Sequence, residues 1–242
     1  MDWGLFAGLL AELRSLGLAG WLAFHNYNEP LINPRLGEEL AAVASVLPGA
    51  RPAIFTNGDV LTASKLDGLV GAGVRYVRVT LYPRHADASP SDEQIRSFLD
   101  RADVAGLPWE WRAVRQGRSA VCDQAGCRIE VISPDISGTY NSRAGSVTTL
   151  PLAVAGRTEP CLMTATSASI DYRGRLKMCC CVYPEPGAGH DGYVIGSLSD
   201  RTFADLWWSA QMQQYRAAHA VADWSLSPAC AGCRQPLPET RA

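Results

Sequence analysis

The spacing of four cysteines limits what this chain can fold into more than any other feature. Cys161 is followed after twelve residues by Gly174, after four more by Cys179, and far downstream by the pair Cys230-Ala-Gly-Cys233. If all four thiolates serve one centre, widely separated segments must fold onto each other. Gly174 suits a tight turn between two short strands, which returns Cys179 towards Cys161. Cys230 and Cys233, with two residues between them, can face one centre from a single loop. Four thiolates hold an iron–sulfur cluster or a structural zinc ion in tetrahedral geometry, and the spacing alone leaves both open.

The remaining cysteines read differently. Cys180 and Cys181 follow Cys179 directly. Neighbours on a strand point to opposite faces, so Cys180 is expected as a buried thiol and Cys181 as a spare or competing ligand. Cys122 and Cys127 flank Asp123-Gln-Ala-Gly126 and read as two ordinary thiols beside a turn. The opening stretch is apolar at Leu5, Phe6, Leu9, Leu10, Leu13 and Leu16 but carries Asp2, Glu12 and Arg14. It describes an amphipathic helix, neither an export signal nor a membrane span. Eight cysteines without export argue for a cytoplasmic chain that uses thiols on metal rather than in disulfides. Apolar residues make up 47% of the 242, enough for a sizeable core. The net charge of -2, with no basic tract interleaved with aromatics, argues against nucleic acid or an anionic membrane as partner.

Before residue 150 the chain alternates helical and strand-like segments. Strands are expected at Gly20–Phe24, Ala53–Phe55, Tyr76–Leu81, Trp109–Val114 and Arg128–Ile132. Between them lie a helix led by Asn33-Pro34, one capped by Thr62 and one opened by Ser91. This pattern implies right-handed crossovers and a parallel sheet, with functional side chains at the C-terminal strand ends. After Gly145 the helical period is lost, and one clear helix remains near Phe203–His219. The reading is of two domains, residues 1–150 and 151–242.

Taken together, these features resemble the radical S-adenosylmethionine (SAM) enzymes that carry a SPASM or Twitch auxiliary iron–sulfur domain. His25-Asn-Tyr-Asn28-Glu29-Pro30-Leu31 resembles that family's Gly-Glu-Pro motif, with Asn28 in place of the glycine. Thr56-Asn57-Gly58 and Thr80 are similar to positions after the next two strands, and Asn141-Ser-Arg143-Ala-Gly145 to a segment before the auxiliary domain. The resemblance implies an α/β fold, a partial (β/α) barrel of radical SAM type with its first strand missing, followed by a small cysteine-rich Twitch/SPASM-like domain. It implies SAM contacts at Glu29, Asn57 and Thr80, with Arg143 touching SAM or substrate. It implies an auxiliary [4Fe-4S] cluster on Cys161, Cys179, Cys230 and Cys233. No cysteine follows Cys233, so one cluster, the Twitch arrangement, is the better match. Read one by one, Glu29 could simply cap the loop before Asn33, and Asn57-Gly58 is an ordinary turn.

The family also uses an N-terminal C-x3-C-x2-C for the cluster that cleaves SAM, and this sequence contains none. Two expectations follow. In one, a preceding segment of roughly thirty residues or more supplies the first strand and those cysteines. The chain then belongs to an oxidoreductase or maturase that uses a 5′-deoxyadenosyl radical. It would act on a small molecule such as an aminocyclitol-like alcohol, or on a peptide, with a reducing electron donor. In the other, the chain is a catalytically inactive iron–sulfur protein serving electron transfer or partner binding. A zinc-stapled binding domain is the third reading.

Overall fold

The computed structural model describes residues 1–83, 85, 89–115, 117–135, 157–187, 189–233 and 235. They form two compact units. One is Leu13–Ile136; the other joins Met1–Glu12 to the residues that follow.

The first unit is built on a six-stranded sheet of order β1-β2-β3-β6-β5-β4. Its strands are β1 (Trp21–Phe24), β2 (Arg51–Thr56), β3 (Tyr76–Thr80), β4 (Glu110–Val114), β5 (Gly117–Gln124) and β6 (Cys127–Pro134). Strands β1, β2, β3 and β6 run parallel. The helices α2 (Leu36–Val46), α3 (Ala63–Gly71) and α4 (Asp92–Arg101) connect the early strands. Thr62 caps α3 by accepting from the Lys65 N–H, and Ser91 caps α4 by accepting from Glu93 and Gln94. Alternation along β3 and β6 sends Val77, Val79, Ile129 and Val131 into a core with Leu40, Leu66, Ile95 and Phe98. On β3 the same period leaves Tyr76, Arg78 and Thr80 on the other face.

The far side of the sheet departs from the parallel expectation. Strands β4 and β5 are antiparallel, as are β5 and β6. The reason is connection length, because a parallel crossover needs a dozen residues or more. The β5–β6 link has two, Ala125 and Gly126, both at positive φ (48° and 80°), which suits a tight hairpin. Cys122 and Cys127 flank that turn, as expected, and both are buried. At the opposite edge, β1 pairs with β2 alone among the described residues, and Trp21 is 53% exposed.

The second unit contains α1 (Trp3–Ser15) as far as Glu12, and a three-stranded antiparallel sheet of β7 (Ser169–Ile170), β8 (Arg175–Lys177) and β9 (Val194–Ser197). Around it lie α5 (Met163–Thr166), α6 (Phe203–Trp207), α7 (Ala210–Ala220) and α8 (Pro228–Ala231). The single helix expected over 203–219 is two. Ser209 breaks it by capping α7, accepting from the Met212 N–H. The Glu12 carboxylate accepts from the Phe203 and Ala204 N–H groups at 2.8 and 2.7 Å, which fastens the opening helix to the N-terminus of α6. None of the helices is long and apolar enough to cross a membrane, among the described residues.

Candidate functional site

Each unit holds one group of the residues expected to act. In the sheet unit, Glu29 lies just beyond β1 and caps a 3-10 turn, Pro30–Ile32. Its Oε1 accepts from the Leu31 N–H at 3.0 Å and from the Thr56 hydroxyl at 2.6 Å, and its Oε2 from the Asn57 N–H at 2.8 Å. One carboxylate thus ties the end of β1 to the end of β2. Thr56 also accepts from the Gly58 N–H, and the Asn57 side chain accepts from the Asp59 N–H. Gly58 has φ +76°, and a Cβ there would meet Val79 Cγ1 at 2.6 Å and Phe98 at 2.7 Å. Packing by itself therefore demands a glycine at position 58.

Thr80 is the last residue of β3, half-buried and in register with Ile132 of β6. The structure brings Glu29 and Asn57 into direct contact and puts Thr80 at the end of the next strand. Arg143 lies outside the described residues. The individual motifs did not point to Thr56 as the partner of Glu29, nor to the polar row beside it. In that row the Tyr76 hydroxyl donates to Glu130, and Arg78 lies 3.6 Å from the same carboxylate oxygen. Burial, reinforced by Glu130, pushes the Tyr76 hydroxyl above its ordinary range. The signal was available as the two-residue period of β3.

In the second unit, β7 and β8 are joined by a tight turn with Gly174 at φ +78°. Asp171 stabilises the turn by accepting from the Arg173 and Arg175 N–H groups at 2.9 and 3.0 Å. The chain leaves β8 into Cys179, and α8 carries Cys230, with Cys233 just after it. Cys161, Cys179, Cys230 and Cys233 line one cavity, together with Cys181, Thr164, His219 and Arg157. All four expected ligands therefore face a common space.

Cys180 and Cys181 differ from expectation. Residues 179–181 form a turn instead of continuing β8, so strand alternation does not separate their side chains. The sulfurs of Cys179, Cys180 and Cys181 all lie within 4.8 Å of one another. Cys181 is the buried member at 3% exposure and lines the cavity, whereas Cys180 is half-buried.

Electrostatics shows why this site suits a cation. Burial pushes the Cys161 thiol up and Cys230 to about 12. A hydrogen bond from Cys181 pulls Cys233 down to about 6. Within the triplet, hydrogen bonds from both neighbours pull Cys180 down, while Cys179 and Cys181 are pushed up. So many sulfurs in a low-dielectric pocket cannot all ionise alone, and a bound cationic centre removes that conflict. Two buried polar atoms of the lining, Thr164 Oγ1 and His219 Nδ1, have no hydrogen-bond partner. Buried polar groups in folded proteins nearly always have one. The donor set and these two atoms fit a thiolate-held metal group.

Residues 161–234 match the SPASM model, an iron–sulfur cluster-binding domain. Over 234 residues, 96% of this chain and 80% of the relative, the sequence is 25% identical to the S-adenosyl-L-methionine-dependent 2-deoxy-scyllo-inosamine dehydrogenase of Niallia circulans. Among solved structures the fold is similar to BtrN in complex with AdoMet and 2-DOIA. The TM-score is 0.68 at 22% identity, with 97% of this chain and 80% of that one covered. Selenomethionine BtrN in an open conformation gives 0.62 at 21% identity and the same coverage. The cysteine geometry and the domain match identify residues 161–234 as a SPASM iron–sulfur cluster-binding domain, in a chain whose sequence along almost its whole length is similar to that of an S-adenosyl-L-methionine-dependent dehydrogenase.

Proposed function

We propose that this chain provides the SAM-binding and auxiliary-cluster parts of a radical SAM oxidoreductase that dehydrogenates a small, aminocyclitol-like alcohol. In this reading residues 1–150 form a partial (β/α) barrel and residues 151–242 a one-cluster, Twitch-type domain, in a cytoplasmic protein served by a reducing electron donor. The observation that carries it is the convergence of Cys161, Cys179, Cys230 and Cys233 on one cavity within the stretch that matches an iron–sulfur domain.

The match of residues 161–234 to an iron–sulfur cluster-binding domain favours a cluster over zinc. When bound, a [4Fe-4S] cluster supplies one-electron chemistry at its site. Cys161, Cys179, Cys230 and Cys233 would hold it there, and the side chains that enclose the cavity would limit its contact with water.

The substrate class rests on the Niallia circulans relative, whose name gives an inosamine as substrate. Glu29, Asn57, Thr80 and Arg143 are the proposed contacts to SAM or substrate. Among the described residues Glu29 Oε2 accepts one bond, which leaves it a second lone pair for an amino group. Tyr76, Arg78 and Glu130 offer hydroxyl, guanidinium and carboxylate groups suited to a polyhydroxylated amine.

A second reading, an iron–sulfur protein without catalysis, is favoured by one observation. Glu29 and Asn57 already bond within their own chain. The test is anaerobic isolation of the full chain, with iron, sulfide and zinc measured and SAM binding followed by equilibrium dialysis. Iron with matching sulfide and saturable SAM binding is expected. Iron and sulfide without SAM binding would give the second reading, and zinc in place of iron would overturn both.

A further inference from the structure

Arg157 stands four residues before Cys161 and lines the four-cysteine cavity, although it carries no sulfur of its own. Its N–H groups reach the far end of the site. The Arg157 backbone N–H donates to the Ala231 carbonyl. The side-chain Nε–H donates to the Cys233 carbonyl at 3.2 Å, and the Nη2–H to the Gln235 carbonyl. The Trp224 indole N–H in turn donates to the Arg157 carbonyl at 2.8 Å. The Cys-x2-Cys turn also closes on itself, because the Cys233 N–H donates to the Cys230 carbonyl at 3.0 Å. One residue thus fastens the chain leading into Cys161 to the turn that carries Cys230 and Cys233, and its side-chain bond to Cys233 spans 76 residues of sequence. Among the described residues no carboxylate pairs with its guanidinium. The carbonyls take its protons without cancelling its charge, and a half-buried charge calls for a counter-charge.

We propose that Arg157 is a positioning residue for the cluster: its guanidinium holds the Cys230–Cys233 turn against the cavity, and its charge balances the negative charge that four thiolates bring there. A guanidinium presents its donors in a rigid planar fork, which can engage the Cys233 and Gln235 carbonyls at once. A lysine keeps the charge but is a point donor on a flexible stem, so it cannot reproduce the fork. Partners outside the ligand set govern how tightly a metal is held. A fixed positive charge also favours the more negative reduced state of a cluster, and so raises its reduction potential.

The inference rests on the iron–sulfur reading, and the experiment separates the two. The full chain and its Arg157→Met, Arg157→Lys and Arg173→Met variants are isolated anaerobically. Arg173 is the control, a cation of the same unit that pairs with Glu185 and does not line the cavity. Iron and sulfide are counted first. Release of iron to a chelator is then timed, and the potential is titrated by electron paramagnetic resonance. Arg157→Met should release iron about tenfold faster or more. It should also shift the reduction equilibrium at least tenfold towards the oxidised state, about 59 mV for one electron. Arg157→Lys should keep the wild-type potential but release iron fast, which separates the charge from the fork. Arg173→Met should match the wild type in both. Should Arg157→Met lose its iron outright, Arg157→Lys gives the decisive reading, and release as slow as wild type there overturns the proposal. Either quantity unmoved in an iron-loaded Arg157→Met overturns it as well, and so does an equal change in Arg173→Met. A wild-type chain without iron and sulfide overturns the cluster and this role of Arg157 together.

Discussion

Replacing Glu29 by glutamine tests whether its carboxylate fastens the strand ends. Three donors converge on it: the Leu31 N–H, the Thr56 hydroxyl and the Asn57 N–H. Glutamine is nearly the same shape but offers one acceptor oxygen where glutamate offers two. With that oxygen in the place of Oε1, the Leu31 and Thr56 bonds survive and the new NH2 faces the Asn57 N–H. In the other orientation the Leu31 N–H loses its acceptor. At least one bond to a charged acceptor disappears either way, worth about 1.5–3 kcal/mol. The site is only part-buried, so about 2 kcal/mol is expected, roughly a thirtyfold shift in the unfolding equilibrium. Alanine, which removes all three bonds, should cost roughly 4 kcal/mol. Urea unfolding of the full chain measures the loss, and amide hydrogen exchange at Asn57 reports it locally. Thr56→Val combined with Glu29→Ala should show a coupling of about 1 kcal/mol or more, since the pair is in direct contact. The reasoning fails if Glu29→Gln lies within about 0.5 kcal/mol of wild type, the range of ordinary surface changes, with Asn57 exchange unaltered.

Other consequences are equally open to measurement. Cys161→Ser and Cys230→Ser should each lose most of the bound iron, whereas Cys122→Ser, buried beside the β5–β6 hairpin in the other unit, should retain it; equal iron in all three would refute the ligand assignment. Gly58→Ala should destabilise by about 3 kcal/mol, from the left-handed backbone and from crowding Val79 and Phe98; a neutral result in urea unfolding would contradict the close approach. Burial pushes Cys127 up to about 11, so at pH 8 only about one molecule in a thousand carries the thiolate. Iodoacetamide should therefore leave Cys127 unmodified in the folded protein, the rate should rise as pH approaches 11, and unfolding should abolish the protection. Mass spectrometry reads the modification site by site.

What was legible in the sequence follows from local rules. Thr62 and Ser91 cap α3 and α4 because a side-chain oxygen can satisfy a free N–H two or three residues ahead, and that needs no tertiary partner. Gly174 marks its turn because few residues adopt positive φ at no cost. The structure departs from local rules where connections and packing prevail. Strand β5 lies between β4 and β6 and makes that side of the sheet antiparallel, because the two-residue link allows only a hairpin. At Cys179–Cys181 the chain turns and gathers the sulfurs, which strand alternation does not foresee. The helical period over 203–219 hides the cap at Ser209 that divides it.

Legible in the residues alone are the groups available for chemistry: thiols in a spacing that can close on one centre, and polar residues placed at the ends of strands. Residue type and chain distance suffice for that, because they limit which groups can reach one another. Which of these groups meet is a matter of the folded chain. It set Glu29 on Thr56 and Asn57 across two strand ends, brought Cys181 into the wall of the four-cysteine cavity, and put the Ser227 hydroxyl against His219. Those contacts join residues whose separation in the chain carries no periodic signal, and packing alone brings them within hydrogen-bond reach.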